Sequence, residues 1–79
     1  MQVKVHVFLK PGVLDVQGKA IEGALHGLGW TDVADVRVGK TIVFNVQNGD
    51  TAKAETDAKA MAEKLLANTV IESYRIEVA

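Results

Sequence analysis

Cysteine is absent from all 79 residues, which removes a disulfide framework, a thiolate metal site and a cysteine nucleophile together. Charge of one sign is missing as well. Nine Lys+Arg stand against ten Asp+Glu for a net charge of −1, so the balance does not draw the chain to nucleic acid. No apolar run approaches a membrane span. The opening MQVKVHV alternates too regularly to be the apolar core of a signal peptide. A cytoplasmic domain with no membrane and no nucleic-acid partner is the expectation. Residues 1–79 form one domain, and a chain this short buries only about 60 % of its unfolded surface. The staples of small proteins are lacking, so self-association or a partner is the expected source of further burial.

What is present is periodicity. The chain is organised around residues 63–78, EKLLANTVIESYRIEV, whose first half has a helical apolar pattern and whose second half alternates. Leu65 and Leu66 continue the spacing of Ala58, Met61 and Ala62. Asn68 stops that helix as a left-handed cap. Tyr74, Ile76 and Val78 then alternate with Arg75 and Glu77 as a half-buried strand.

Upstream, residues 2–10 read as a first strand, with Val3, Val5, Val7 and Leu9 on one face and Lys4, His6, Phe8 and Lys10 on the other. Pro11-Gly12 ends it. Asp15 caps a helix running to about Leu28, with Leu14, Gly18, Ile21, Leu25 and Leu28 as its apolar stripe. Three glycines inside it, Gly18, Gly23 and Gly27, point to close packing against the sheet or a second chain. They do not point to phosphate, because a phosphate-binding loop lies between strand and helix. Gly29 ends the helix. Residues 34–38 read as a second strand, Gly39-Lys40 as a tight hairpin turn, and residues 41–47 as a third strand with Ile42, Phe44 and Val46 inward. Asn48-Gly49-Asp50 is a turn, and Asp50 or Thr51 caps the second helix, which reaches Ala67.

The order β-α-β-β-α-β predicts an α+β, ferredoxin-like fold: a four-stranded antiparallel sheet in the order 4-1-3-2, with two helices on one face. His6, Phe8 and Val43 then share the helix-free face of the central strands, where exposed apolar groups suggest self-association.

Catalytic chemistry finds no constellation here. His6 and His26 sit on different elements without metal-ligand spacing, His6 on an outer strand face and His26 on a solvated helix position. Asp15 reads as a cap and Asp35 as a strand end, neither with a general-base partner. An RNA-binding sheet needs aromatics on the outer faces of its central strands, and only Phe8 qualifies. The Lys10-Pro11-Gly12 loop is too short to cradle an acyl phosphate. Tyr74 belongs to the core; Trp30 is a core or an interface residue. Arg37 and Lys40 at the hairpin, and Asn68 and Thr69 at the last turn, join elements without filling core faces. That makes them the predicted partner contacts, Arg37 through a planar fork that pairs two ways with a carboxylate.

Several stretches carry a resemblance. They are Val3-Lys4-Val5, Val13-Leu14-Asp15-Val16-Gln17-Gly18, Ala24-Leu25-His26, Asp35-Val36-Arg37-Val38-Gly39-Lys40, and Leu65 to Glu72 with Tyr74-Arg75. Together they resemble the PurS family, small subunits of the multi-subunit phosphoribosylformylglycinamidine synthase of purine biosynthesis, over essentially the whole chain. Val16 is the departure, standing where the family's L-D-P-Q-G has a proline suited to a first helical position. The resemblance implies an assembly subunit without catalytic residues or cofactors of its own. It would join a glutaminase subunit that releases ammonia to a large synthetase subunit that uses ATP and Mg, as a homodimer or dimer of dimers. The alternative is a free-standing regulatory domain of the amino-acid-binding βαββαβ type, with which Pro11-Gly12 is compatible. Stabilisation by an amino acid distinguishes the two.

Overall fold

A computed structural model describes residues 1–47 and 49–79. Strand β1 (Gln2–Leu9) is central, flanked antiparallel by β2 (Gly39–Asn45) and β3 (Glu72–Val78) in the order β2-β1-β3. Register fixes the faces. Val5 lies opposite Ile42 and Ile76, and Val3 opposite Phe44 and Val78, so the apolar alternation of all three strands falls on one side. Val3, Val5 and Val7 are the largest fully buried side chains.

Helix α2 (Thr51–Met61) covers that side along β1 and β3. Asp50 is its N-cap and accepts from Lys53 N at 3.2 Å. Its contact row is Ala54, Ala58 and Ala62, small side chains four residues apart that let the helix lie close to the valines. The next buried position is Ala67, five residues on, because residues Ala62–Leu66 form a π turn closed by Ala67 N donating to Ala62 O. This shift in phase leaves Leu65 82 % exposed, where regular helical spacing predicts burial. Ala67 leaves the helix in extended conformation, so Asn68 is not a left-handed cap. Its side-chain oxygen accepts from Val70 N and its carbonyl from Ile71 N and Glu72 N, building the turn into β3. Tyr74 is half-buried on the core side, and its hydroxyl donates to Glu63 at 2.7 Å. The predicted turn at 48–50 begins at Asn48, which lies outside the described residues.

Helix α1 (Val16–Gly27) carries the main departures from expectation. It makes no substantial contact with the sheet or with α2, so two helices do not share one face. Among the described residues the sheet has three strands, not four, because residues 34–38 run beside α1 without joining a ladder. Their backbone is spoken for elsewhere: Val36 N donates to Glu22 and Val38 N to Asp15. Asp35 sits at φ 56, a left-handed conformation that Asp tolerates and that interrupts extended chain. Gly39 and Lys40 are the first residues of β2 and not a hairpin turn. The C-terminus of α1 is a Schellman motif, with Gly29 at φ 109 donating to His26 O and Trp30 N donating to Leu25 O.

Only one of the three helix glycines is required by close approach. A Cβ on Gly18 would collide with the Val36 carbonyl, whereas nothing lies within 4 Å of one on Gly23 or Gly27. Gly23→Ala should therefore raise stability by about 0.8–1 kcal/mol through helix propensity, read as a higher urea midpoint with unchanged slope.

Candidate interaction site

The two segments that flank α1, residues 10–15 before it and 28–38 after it, lie against one another as a two-ply neck. Asp15 is its centre. This carboxylate is 4 % exposed; Oδ1 accepts from Gly18 N and Oδ2 from Val38 N, each at 2.7 Å. Those two N–H groups, Val38 foremost, hold its pKa below the ordinary 3.8, and the charge of Arg37 adds to the effect. Arg37 braces the neck from the other ply, donating to Val13 O at 3.1 Å and Lys10 O at 3.2 Å. His26 is half-buried and not solvated, because its Nε2–H donates to Val33 O at 2.6 Å.

The neck adjoins the end of the sheet where β1 stops. There Lys10 N donates to Ile71 O, Lys40 pairs with Val7 across β2, and Leu9 faces Glu72 across β3. The four predicted partner contacts thus lie toward one end of the sheet: Arg37 and Lys40 on the neck side, Asn68 and Thr69 in the turn before β3. Arg37 has a local task, which sequence reasoning missed because its carbonyl partners are 24 and 27 residues away. Two clefts flank the neck. The larger, about 420 Å³, lies between Phe8, Pro11, Leu14 and Arg37; the smaller, about 270 Å³, lies between Leu9, Val38 and Lys40.

The three residues predicted for self-association lie together on the helix-free face. Val43 stands opposite Lys4, and Phe8 covers Gly39. His6 bridges three strands, Nδ1 to Thr41 Oγ1 and Nε2 to Glu77 Oε1, both at 3.0 Å. The hydrogen bond to His6 leads the causes that lower the Glu77 pKa. Thr–His–Glu is the order of a hydrolytic relay, but these three lie on an open sheet face away from both clefts. No strand periodicity announces such a bridge; it needs the register of both ladders. Trp30 is 56 % exposed, which leaves it outside the core. No helix among the described residues is long and apolar enough to cross a membrane.

The fold and the site define a small α+β module with its distinctive side chains in a neck and on an open sheet face. The comparisons with known proteins give this module a family. The profile of PurS, phosphoribosylformylglycinamidine (FGAM) synthase, matches residues 2–79. The chain is 49 % identical over 77 residues to the synthase subunit PurS of Bacillus subtilis, covering 98 % of this chain and 90 % of that one. It superposes with a TM-score of 0.88 on PurS of Methanocaldococcus jannaschii, a subunit of formylglycinamide ribonucleotide amidotransferase, at 36 % identity over 99 % of this chain and 94 % of that one. A chain in the PurLQS structure from Thermotoga maritima matches with a TM-score of 0.87 at 30 % identity, covering 96 % and 93 %. The protein belongs to the PurS family.

Proposed function

We propose that this chain is the assembly subunit of a phosphoribosylformylglycinamidine synthase in de novo purine biosynthesis, joining a glutaminase subunit to an ATP-dependent synthetase subunit and supporting ammonia transfer between them. Membership of the PurS family over residues 2–79 is the observation that carries this reading. The likeness to a chain of the PurLQS structure favours it over a free-standing amino-acid-binding domain. ATP, Mg and glutamine belong to the partner subunits in this reading, which places the complex in the cytoplasm. The end of the sheet that carries Arg37, Lys40, Asn68 and Thr69 meets a partner subunit. The helix-free face around His6, Phe8 and Val43 is a self-association surface of a homodimer or a dimer of dimers.

Two outcomes test this. The purified chain alone should turn over neither glutamine nor ATP, while its addition to the two other subunits should restore glutamine-dependent synthesis. Hydrolysis that tracks the chain through purification would sink the proposal. Lys40→Ala should leave the melting temperature near that of the parent, since surface changes stay within about 0.5 kcal/mol. At limiting subunit concentration it should weaken assembly; full assembly would remove Lys40 from the interface.

A further inference from the structure

Register gathers one small set of charges on the helix-free face. Lys4 lies opposite Val43 and Glu77, and His6 lies opposite Thr41 and Arg75. Two cations, Lys4 and Arg75, against one carboxylate, Glu77, give this face +1 while His6 is neutral. No other charged side chain of the three strands falls on this side. The hydrogen bond from His6, ahead of the nearby cations, holds the Glu77 pKa below the ordinary 4.5. Glu77 is therefore ionised in mild acid. His6 is the one group of the face whose residue type changes charge between about pH 5 and 8.

The bridge across the strands tolerates that change. The His6 side chain is only 16 % exposed, with Nδ1 at 3.0 Å from Thr41 Oγ1 and Nε2 at 3.0 Å from Glu77 Oε1. An ionised carboxylate only accepts, which fixes the neutral ring with its proton on Nε2 and leaves Nδ1 to accept from the Thr41 hydroxyl. In the protonated ring both nitrogens donate, and the hydroxyl turns round to accept. A lysine or a carboxylate in place of Thr41 would serve only one of these states. The proton thus enters without parting the strands, and its charge stays on the face, which goes from +1 to +2.

We propose that His6 is a proton switch on the contact between copies of this chain: acidification charges the helix-free face and loosens its contact with a second copy, while the sheet beneath stays locked. Phe8 and Val43 supply apolar area to that contact and do not titrate. In a two-fold contact one patch meets itself, so every charge gained is gained on both sides. Repulsion follows the product of the two face charges and rises roughly fourfold. The inference rests on the self-association of this face in the proposed function and adds its regulation.

The test is sedimentation at pH 8 and pH 5.5, applied to the association step that Phe8→Glu weakens. The dissociation constant of that step should rise about tenfold at the lower pH. The rise should shrink in 1 M salt, where screening acts within about 3 Å. His6→Gln, which keeps hydrogen-bonding capacity without the charge, should abolish the pH dependence, and His26→Gln should retain it. Nuclear magnetic resonance over the same range should show His6 taking up its proton with the β1 amides still protected from exchange. A dissociation constant equal at both pH values, or a pH dependence that survives His6→Gln, overturns the switch and leaves self-association standing. Loss of β1 protection with the proton overturns it too, since the sheet would then be opening. If Phe8→Glu weakens no association step, this face is not the contact, and the switch falls with that reading. Should His6→Gln fail to fold, the parent decides: a pH effect that salt does not reduce overturns the switch.

Discussion

Gly18→Val is expected to lower the melting temperature by ~10–20 °C. The helix itself does not demand glycine there, since any side chain with better propensity would favour α1. The demand comes from the neck. The Gly18 position is buried where the Val36 carbonyl crosses the first turn of α1, with the Asp15 carboxylate 2.9–3.0 Å from where a Cβ would be. A carbonyl and a capping carboxylate are held by their own hydrogen bonds and cannot swing away as the end of a lysine would. Valine adds three carbons to that gap. Overpacking of this kind costs about 1–3 kcal/mol, and each kcal/mol moves the midpoint of a domain this size by roughly 4–8 °C. Circular dichroism melts of Gly18→Val and Gly23→Ala side by side give the cleanest reading, because the two should move in opposite directions. A Gly18→Val protein that melts with the parent would mean the plies of the neck are not in contact in solution.

The contrast between these glycines marks where sequence reasoning succeeds. Features decided within a few residues were legible: the alternation of β1 and β3, the Asp15 and Asp50 caps, and the Gly29 terminus. The helix-free placement of His6, Phe8 and Val43 was legible too, because strand parity survives any choice of neighbour. Residues 34–38 were not. Ala34, Val36 and Val38 alternate as a strand does, yet the partners of Val36 N and Val38 N are the side chains of Glu22 on α1 and of its N-cap Asp15, 14 and 23 residues away. Once those N–H groups are taken, the fourth strand is lost and α1 is tied outward instead of lying on the sheet. The placement of Arg37, Lys40, Asn68 and Thr69 toward one end follows from a strand order that was foreseen for the three strands that form. The bracing role of Arg37 depends on a neck that was not foreseen. The exposed Leu65 has a different origin, the extra residue of the π turn, which no apolar spacing announces.

Asp15 should show the second large effect, and it is separable into two parts. Asp15→Ala removes the helix cap and leaves the Val38 N–H without its acceptor, for an expected loss on the order of 10 °C in melting temperature. Asp15→Asn keeps one oxygen for Gly18 N but turns an amide N–H₂ toward Val38 N, donor against donor. It should fall between the parent and the alanine variant. The charge supplies an independent check. Because the folded pKa lies below the ordinary 3.8, the unfolded chain takes up the proton first as pH falls. The stabilisation from Asp15 is therefore complete above 3.8 and drains away as pH drops through the lowered folded value. The gap in urea midpoint between parent and Asp15→Asn should accordingly be full at about pH 6 and shrink toward about pH 3. A gap that stays constant across the acid limb would show that the two N–H bonds are carried by shape alone, and that the ionised carboxylate is not what closes the neck.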